Sequence, residues 1–397
     1  MTLTAWRWLV LVFACAPFAY YLLGIYSALR FFSQRREPPP GDFAPPVSIL
    51  KPVRGLDREA YENFESFCRL DYPEYEILFG VSDADDPAIP IIRKLMGNFP
   101  QRAIRLLVGA EELGASSKVC KLCRLVREAR YSLYVISDSD VRVGPDYLRA
   151  VAAAFRDPQV GAATTLYRGL ANKRLGAMLD AVGAASEFWA GALVAWQLEG
   201  VKFTVGATMA TTRERLAEIG GFEAMVDCHS DDYELGRRIA ARGYRVELIP
   251  YTVRLVIPEQ SFGEYVKHEL RWAIGVRNVR PGGHAGMLFT HGLPWALAAA
   301  AVSRSATVAA GYLGSYLVLR LLMAWVVGVW GLRDAVLRQK LWLVPLRDAL
   351  WSLIWVASFG SNRIQWRGVE FTIHKGRLIP RETPRGAGGG RRGTPSG

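Results

Sequence analysis

The chain has 397 residues and a formal net charge of +12, and 51% of its residues are hydrophobic. This length exceeds that of one small domain, and a hydrophobic share near the average of soluble proteins excludes a wholly membrane-embedded protein. Much of the positive charge lies beside apolar segments or in the Arg-rich C-terminal tail. That placement favours an anionic membrane surface over nucleic acid as a partner.

The five cysteines predict neither a disulfide framework nor a zinc site. Their number is odd and their spacing is irregular, which does not suit a set of paired disulfides. Cys120 and Cys123 form a CxxC pair, but no second pair or histidines follow at zinc-ligand spacing. We therefore expect reduced thiols, as in a protein that faces the cytoplasm.

The N-terminal segment predicts a membrane anchor. Residues 9–29 carry no charge and are long enough to cross a bilayer. More arginines follow this segment than precede it, which places the body of the protein on the cytoplasmic side. A cleavable signal peptide is the alternative, because Ala14-Cys15-Ala16 resembles a cleavage site, but the apolar run continues well beyond it. We assign residues 1–33 to the anchor and the proline-rich residues 34–46 to a linker.

Residues 47–286 are predicted to form an α/β domain. Apolar strands alternate with helical segments, which is typical of a mostly parallel, Rossmann-like sheet. Such sheets bind ligands at the carboxyl ends of their strands, and acidic residues follow two of the predicted strands. We therefore expect both acidic groups on the same rim. The predicted strands are residues 47–50, 75–81, 105–108 and 133–136, and the predicted helices are 58–69, 87–99 and 118–129.

Residues 287–360 are predicted to carry further membrane helices. Two apolar segments, 288–310 and 312–331, suit two spans. The basic segment 333–340 that follows them suits a cytoplasmic loop. With these two spans, the C-terminal tail returns to the same side as the body.

The last apolar segment, residues 341–359, contains Arg347 and Asp348. A spanning helix would have to bury both charges at considerable cost. We therefore predict an interfacial or re-entrant helix packed under the α/β domain. Residues 361–397 are assigned to a basic tail, which we expect to be disordered after Pro380.

The motif Asp138-Ser139-Asp140 directly follows a buried predicted strand. Its two carboxylates point to the same side of a tight turn, and carboxylate oxygens are preferred ligands of Mg²⁺ and Mn²⁺. In sugar-nucleotide transfer such a cation neutralises the leaving diphosphate. An Asx turn that only stabilises the loop is the alternative. The position after a hydrophobic strand favours a cation site at Asp138 and Asp140.

Two further acidic groups are candidate site residues. Asp86 precedes Pro87, so it can cap a helix, bind the base or ribose of a nucleotide, or do both. Asp231 and Asp232 open a predicted helix, where carboxylates are stabilising. A carboxylate at the mouth of a site can also serve as general base for an acceptor hydroxyl.

A predicted helix carries the basic motif His268-Glu269-Leu270-Arg271-Trp272. The guanidinium of Arg271 matches the geometry of phosphate oxygens, and Trp272 can stack on a substrate. The alternative is a basic helix that lies on anionic lipid.

Together and in this order, these motifs resemble glycosyltransferase family 21. This is the ceramide glucosyltransferase family, a branch of the processive-type GT-A transferases, and the likeness covers about residues 47–291. The motifs that carry the resemblance are Leu50-Lys51-Pro52, Asp85-Asp86-Pro87-Ala88, Asp138-Ser139-Asp140, Asp231-Asp232-Tyr233 and Arg271-Trp272, and Trp366-Arg367-Gly368 is similar to the ending of the family.

The resemblance implies a cytoplasmic GT-A domain that moves a sugar from a UDP-sugar to a lipid hydroxyl with inversion. It implies a divalent cation, Mg²⁺ or Mn²⁺, at Asp138 and Asp140, and Asp232 as the catalytic base. The residues implied to bind the nucleotide sugar are Asp86, Lys118, Asp138, His268, Arg271 and Trp272.

Some positions depart from the animal ceramide enzymes. His268 stands where the family has Gln or Arg, and Glu187-Phe188-Trp189 lacks their His-Pro. The HELRW form and residues 206–210 and 219–222 resemble a bacterial branch that adds N-acetylglucosamine to hopanoid lipids. The donor sugar, glucose or N-acetylglucosamine, and the acceptor, ceramide or bacteriohopanetetrol, therefore stay open.

Two other functions are considered. A polysaccharide synthase of the same superfamily would need more spans than the roughly three segments predicted here. A membrane scaffold without catalytic activity would leave the ordered acidic and basic motifs unexplained.

Overall fold

The computed structural model describes residues 2–34, 43–109, 111–366 and 369–381. Most of the predicted linker, Arg367 and Gly368 and the tail beyond residue 381 lie outside these ranges. The predicted anchor forms two consecutive helices, with Pro17 in the first turn of the second, where its missing N–H is tolerated. These helices are α1 (Thr2–Phe13) and α2 (Ala16–Phe32).

An eight-stranded sheet forms the body of the protein, in the order β3-β2-β1-β4-β7-β6-β8-β5. Strands β1 to β4 pair in parallel, as do β6 and β8, whereas β7 is antiparallel to both of its neighbours. Every residue of β1, β2 and β4 is buried, as expected for apolar strands covered on both faces. The predicted α/β fold class is therefore confirmed. The strands are β1 (Val47–Val53), β2 (Tyr75–Val81), β3 (Ala103–Val108), β4 (Leu133–Ile136), β5 (Val141–Arg142), β6 (Val160–Leu170), β7 (Met209–Thr212) and β8 (Arg245–Val256).

Helices connect and cover these strands. A π-helix, Ala184–Phe188, joins α7 to α8, and a 3₁₀ turn, Phe222–Met225, precedes α10. Ser261 and Glu264 form a capping box that fixes the start of α11. The helices are α3 (Ala60–Cys68), α4 (Ala88–Asn98), α5 (Ser117–Glu128), α6 (Tyr147–Ala154), α7 (Leu175–Gly183), α8 (Trp189–Glu199), α9 (Arg213–Glu218), α10 (Asp231–Ala241) and α11 (Phe262–Val279).

The C-terminal part begins with apolar helices. They are α12 (Pro281–Gly286), α13 (Gly292–Ser303), α14 (Ala306–Ala324), α15 (Ala335–Lys340) and α16 (Val344–Ala357). A π-helix, Trp325–Gly331, extends α14, and 3₁₀ turns are found at Met287–Thr290, Leu341–Leu343 and Ser358–Gly360.

Residues 363–366 and 369–380, which lie in the segment that we assigned to the basic tail, form a three-stranded antiparallel sheet. The sheet packs on α11, where Ile364, Phe371, Ile373 and Leu378 surround Ile274. Charged and polar residues alternate with these apolar ones, as in a half-buried strand. Because the segment is highly charged, we predicted no strands there from the sequence. The strands are β9 (Arg363–Trp366), β10 (Val369–His374) and β11 (Arg377–Pro380).

Four helical segments among the described residues are long and apolar enough to cross a membrane: Ala5–Phe32, Leu175–Glu199, Ala306–Gly331 and Ala335–Gly360. A fifth is possible if the pair Pro281–Thr290 and Gly292–Ser303, bent by 50°, counts as one span. Leu175–Glu199 lies inside the range that we assigned to the α/β domain, and 67% of its most apolar window is buried within the protein. The protein therefore has more candidate spans than the sequence patterns predicted.

Arg347 and Asp348 are buried, but their partners come from other helices. Arg347 donates to Glu187 at 2.9 Å and to Glu269 at 2.8 Å. Asp348 accepts from Arg320 on α14 at 2.9 Å. These ion pairs offset the cost of burying Arg347 and Asp348, which was the reason for not predicting a membrane span at residues 341–359. The interfacial position of α16 stays a prediction.

Candidate active site at the rim of the sheet

The carboxyl ends of β1, β2 and β4 lie at one rim of the sheet. β1 runs between the other two strands, with Val53 opposite Val81 and Leu50 opposite Ile136. The two acidic groups that follow β2 and β4 therefore start from the same rim. This is the place where open α/β sheets bind their ligands.

Asp86 connects two segments of this rim. Its carboxylate accepts from the backbone N–H of Gly55, after β1, at 2.8 and 3.1 Å, and from that of Ala88, in α4, at 2.9 Å. The cap interaction expected from the Asp86-Pro87 sequence is thus present. The proposed contact of Asp86 with a nucleotide stays a prediction.

Lys118 brings two acidic groups together. Its Nζ lies 2.8 Å from Oδ1 of Asp138 and 3.0 Å from Oδ2 of Asp231. Burial lowers the pKa of Lys118, but the charges of Asp138, Asp231 and Asp232 outweigh burial and hold this pKa above its usual range. Lys118 is therefore a charged ammonium at the centre of the acidic rim.

Asp140 has a carboxylate oxygen, Oδ1, that is buried and has no hydrogen-bond donor among the described residues. Burial raises the pKa of Asp140 to about 7, and the charges of Asp138 and Asp57 add to this effect. Asp57 itself accepts a hydrogen bond from Ser139. A hard divalent cation stabilises such a group of carboxylates. Asp138 and Asp140 therefore fit the predicted cation, and Asp57 is a third carboxylate that the motifs did not indicate.

Gly206 links Asp138 to Asp232. Its carbonyl accepts from the backbone N–H of Asp138 at 3.2 Å, and its N–H donates to Oδ2 of Asp232 at 3.1 Å. The other oxygen of Asp232 accepts from the N–H of Tyr233 at 2.8 Å. A Cβ at position 206 would overlap the carboxylate of Asp138, so only glycine permits this close approach.

Asp232 has the ionisation behaviour that a general base needs. Burial raises the pKa of Asp232 to about 6, and the charge of Asp231 acts in the same direction, while Lys118 opposes it. A base is most effective when its pKa lies near the working pH. Asp232 can therefore be ionised at neutral pH and still accept a proton.

Lys51 is a further residue of the rim whose role the sequence did not indicate. It is fully buried in β1, and its Nζ donates to the carbonyl of Asp138 at 2.9 Å and lies 3.7 Å from the centroid of the Phe67 ring. Burial lowers the pKa of Lys51 to about 7, against the opposing charges of Asp138 and Asp140. A lysine inside an apolar strand was the available signal, because lysine is almost never fully buried without a partner.

Three residues of the basic motif on α11, His268, Glu269 and Trp272, line a cavity. His268 Nδ1 lies 3.5 Å from Oδ2 of Asp180 on α7. The ring of Trp272 meets that of Phe188 edge-on, with centroids 5.5 Å apart. This cavity has a volume of about 370 Å³ and lies between α2, α7, α8, α11 and α16.

The charge of Arg271 affects a buried histidine. Burial, and then the charge of Arg271, lower the pKa of His229 to about 4. His229 is therefore neutral at physiological pH. It lies against α11, since a Cβ at Gly275 would come within 2.7 Å of its ring.

Residues 203 and 204 connect the cavity to the acidic rim. Phe203 lines the cavity, and the backbone N–H of Thr204 donates to the backbone carbonyl of Asp232 at 3.3 Å. Tyr167 of β6 also lines the cavity, and burial raises its pKa, with the charges of Asp180 and Asp232 among those that add to the effect. The cavity and the acidic rim are therefore neighbours, although the carboxylates of the rim do not line the cavity in the described part of the chain.

The sequence model of glycosyl transferase family 21 matches residues 9–379. The chain belongs to this family. It is 28% identical to ceramide glucosyltransferase 3 of Caenorhabditis elegans over 264 residues, which are 64% of this chain and 56% of that protein. It is 25% identical to ceramide glucosyltransferase 1 of the same organism over 238 residues, 60% of this chain and 50% of that protein. The match thus spans about half the length of these relatives.

A ceramide glucosyltransferase of Komagataella phaffii is 30% identical over 169 residues, 41% of this chain and 32% of that protein. Among solved structures, the mannosyltransferase PcManGT from Pyrobaculum calidifontis, in complex with GDP-Man and Mn²⁺, matches with a TM-score of 0.55 and 20% identity. The match covers 89% of this chain and 98% of the mannosyltransferase. This likeness supports the GT-A fold, and the family model identifies the chain as a family 21 glycosyl transferase.

Proposed function

We propose that this family 21 member moves a hexose from a UDP-sugar to a lipid hydroxyl with inversion, in the manner of the ceramide glucosyltransferases. One observation carries the proposal: a fixed general-base carboxylate, a buried ammonium and a candidate cation site share one rim beside a cavity that faces the apolar helices. The residues that make this arrangement are Asp232, Lys118, Asp138, Asp140 and Gly206.

In the proposed reaction the acceptor hydroxyl attacks the anomeric carbon from the face opposite the diphosphate. Asp232 takes the hydroxyl proton while the new C–O bond forms. The bond from the anomeric carbon to the diphosphate breaks, and its electron pair leaves with UDP. One base and one displacement are sufficient for an inverting transfer.

The donor is held by groups on several elements. Asp86 binds the base or ribose, Lys118 lies near the diphosphate, and Arg271 with Trp272 holds the diphosphate from α11. A Mg²⁺ or Mn²⁺ ion, which Asp138 and Asp140 would hold, supplies positive charge that neutralises the leaving diphosphate.

The proposed enzyme is held in a membrane by its apolar helices and has its active site on the cytoplasmic face. This orientation rests on the arginines that follow the first apolar segment. The acceptor then reaches the site from the lipid phase beside α8 and α16. Ceramide and bacteriohopanetetrol are the two acceptor candidates, and glucose and N-acetylglucosamine are the two donor sugars.

The test is a transfer assay on membranes that contain the protein. Labelled UDP-glucose or UDP-N-acetylglucosamine is offered with ceramide or bacteriohopanetetrol, and the lipid product is identified by mass spectrometry. Asp140→Ala and Asp232→Ala should abolish product formation. Full activity in both variants would contradict the proposal.

A polysaccharide synthase of the same superfamily is the second candidate. The sequence predicted about three membrane segments, which are too few for a synthase. The structure has four candidate spans, or five with the bent pair, so this argument is weaker. The same assay separates the two functions, because a synthase releases a polymer of the donor sugar and needs no lipid acceptor.

A further inference from the structure

The cavity beside the acidic rim has two chemically different parts. Aromatic rings from four elements line one part: Tyr20, Phe188, Trp272 and Trp351. Charged and polar side chains line the other. A volume of about 370 Å³ is within the range of small-ligand sites, which are mostly apolar with a few placed polar groups.

The π-helix Ala184–Phe188 contributes to both parts. Its wider turn brings Glu187 and Phe188, which are consecutive in sequence, to the wall of the same cavity. Gly183 precedes it and leaves room for Arg347, since a Cβ there would come within 2.6 Å of the guanidinium. Single π turns in otherwise α-helical segments are frequent at functional sites.

Buried ion pairs hold the polar part in place. Arg347 is only 4% exposed and binds Glu187 at 2.9 Å and Glu269 at 2.8 Å. One guanidinium therefore fixes two carboxylates, each of which keeps further lone pairs for hydrogen bonds. His268 Nδ1 lies 3.5 Å from Oδ2 of Asp180 and has no hydrogen-bond partner among the described residues, so the imidazole keeps hydrogen-bonding capacity for a ligand.

The ligand atoms of Asp180, His268 and Glu269 are close enough to hold a metal ion, since they lie within 4.8 Å of one another. However, Asp180 already accepts from the amide of Gln260 at 2.8 Å, and Glu269 accepts from Arg347. A cation would have to enter beside a guanidinium and displace both donors. These contacts favour a neutral ligand that carries hydroxyl or amide N–H groups.

We propose that Glu187 and His268 bind the hydroxyl-bearing head of the lipid acceptor, while Arg347 holds Glu187 in position. The inference rests on the proposed transfer to a lipid. Tyr20 and Trp351, in the aromatic part of the cavity, receive the start of the hydrocarbon chain, whereas Trp272 stays with the diphosphate. Tyr167 and the neighbouring acidic rim then lie next to the head, on the side where Asp232 is found.

Two variants test the polar part. Glu187→Gln leaves Arg347 paired with Glu269, and His268→Gln keeps a hydrogen-bond donor near Asp180, so both should fold. The KM for short-chain ceramide or bacteriohopanetetrol should rise about tenfold or more, as expected when a hydrogen bond to a charged or fixed group is lost. In Glu187→Gln the KM for the UDP-sugar and its hydrolysis without acceptor should stay within about twofold of the wild type.

Two controls accompany these variants. Lys267→Ala changes an exposed neighbour of His268 on α11 and should leave both KM values unchanged. His268→Ala should raise the acceptor KM further than His268→Gln, because alanine offers no donor. A rise in the KM for the UDP-sugar in both His268 variants, with the acceptor KM unchanged, would assign His268 to the diphosphate and overturn the proposal.

Two positions on α8 provide a matched pair of variants that test the apolar part of the cavity. Ala195 lines the cavity, whereas Leu198 on the same helix is 68% exposed and does not line it. Ala195→Trp should fill the cavity and raise the acceptor KM at least tenfold, while Leu198→Trp adds a similar ring and should not. Equal acceptor KM values in both variants would overturn the placement of the lipid.

The outcomes also separate this inference from the proposed function. If the wild type transfers sugar to neither lipid, the proposed function fails and the acceptor site fails with it. If the wild type transfers sugar and Glu187→Gln, His268→Gln and Ala195→Trp all keep its acceptor KM, only the acceptor site is wrong. Hydrolysis of the UDP-sugar without acceptor shows in each variant that the donor site is folded.

Discussion

Asp232 combines a fixed position with a pKa close to neutrality. Two backbone N–H groups, those of Gly206 and Tyr233, hold its oxygens at 3.1 and 2.8 Å. Lys118 binds the adjacent Asp231 and not Asp232 among the described ion pairs. The carboxylate of Asp232 is therefore oriented by neutral donors, which leaves it more basic than a salt-bridged carboxylate would be.

Asp232→Asn should lower kcat by about 10²- to 10⁴-fold, the usual contribution of a general base. The KM for the UDP-sugar should change by no more than about twofold, because the amide keeps the shape of the carboxylate. Glu234→Gln is the matched control, since Glu234 lies on the same helix and binds only Arg237 and Arg238 among the described residues. A similar loss of kcat in both variants would show that the helix, and not the base, had been disturbed.

The pKa of Asp232 predicts the acid limb of the pH profile. The base must be ionised, and its pKa is raised to about 6. The value of kcat/KM should therefore be constant above this pH and should fall about tenfold per pH unit below it. The residual activity of Asp232→Asn should lack this limb. A wild-type profile that stays flat to pH 5 would mean that another group accepts the proton.

The acidic residues of the site were recognisable from the sequence because each follows a strand or opens a helix. Asp57 and Gly206 were not assigned a role, because their roles arise from contacts between segments distant in the chain. Asp57 reaches Ser139 from the loop after β1. Gly206 matters through a close approach to Asp138, and no local pattern indicates which distant side chain a glycine must admit.

At the scale of elements, strands β1 to β4 follow the predicted ranges closely, since a buried parallel strand reads as a short apolar run. The rest of the sheet, β5 to β8, was not predicted in detail. There β7 lies between β4 and β6 and pairs antiparallel to both. Its place in the sheet depends on contacts between distant segments, which the alternation of predicted strands and helices along the sequence does not reveal. The segment that leads into β7 contains Gly206 and therefore positions the carboxylates of Asp138 and Asp232.

Gly206→Ala should displace the carboxylate of Asp138 and with it the link to Asp232. A shift of about 1 Å at a catalytic group can cost about 100-fold in rate, so we expect kcat/KM to fall by 10- to 100-fold. Gly97→Ala is the control, because no atom lies within 4 Å of the added Cβ and alanine favours the helix. Wild-type activity in Gly206→Ala would show that the rim tolerates the shift.

The α7–π–α8 segment shows why the helices near the membrane were harder to predict. Its composition is apolar enough for a span, yet 67% of its most apolar window is buried in the protein. The π turn that brings Glu187 into the cavity leaves no signal in the hydrophobic period. The position of the α7–π–α8 segment depends on its packing against α2. There Trp196 of α8 meets Phe31 of α2 with ring centroids 5.1 Å apart.

At the scale of the whole molecule, one hydrophobic core joins the sheet to the apolar helices. It includes Ile49 and Val135 of the sheet together with Phe31 of α2 and Tyr316 of α14. The sequence predicted a separate domain and separate membrane segments, because composition changes sharply between them. In the structure, the apolar helices pack on the sheet that carries the candidate active site.

Buried ion pairs also connect the apolar helices to the rest of the protein, and those of Arg347 are the clearest example. It comes from α16 and binds Glu187, between α7 and α8, and Glu269 on α11. Arg347→Met should leave two carboxylates buried without a partner and destabilise the protein by about 3–5 kcal/mol. The measurement is the thermal unfolding midpoint in detergent at constant lipid content.

The triple variant Arg347→Met, Glu187→Gln, Glu269→Gln separates charge from packing. Removing all three charges should recover most of the lost stability, since a neutral buried set costs less than an unpaired carboxylate. If the triple variant is as unstable as Arg347→Met alone, the guanidinium acts through its packing on the ring of Trp351, 4.8 Å from the centroid. Recovery would show that the loss in Arg347→Met comes from carboxylates left buried without a partner, and that the packing of α16 against the other helices keeps it in place without these ion pairs.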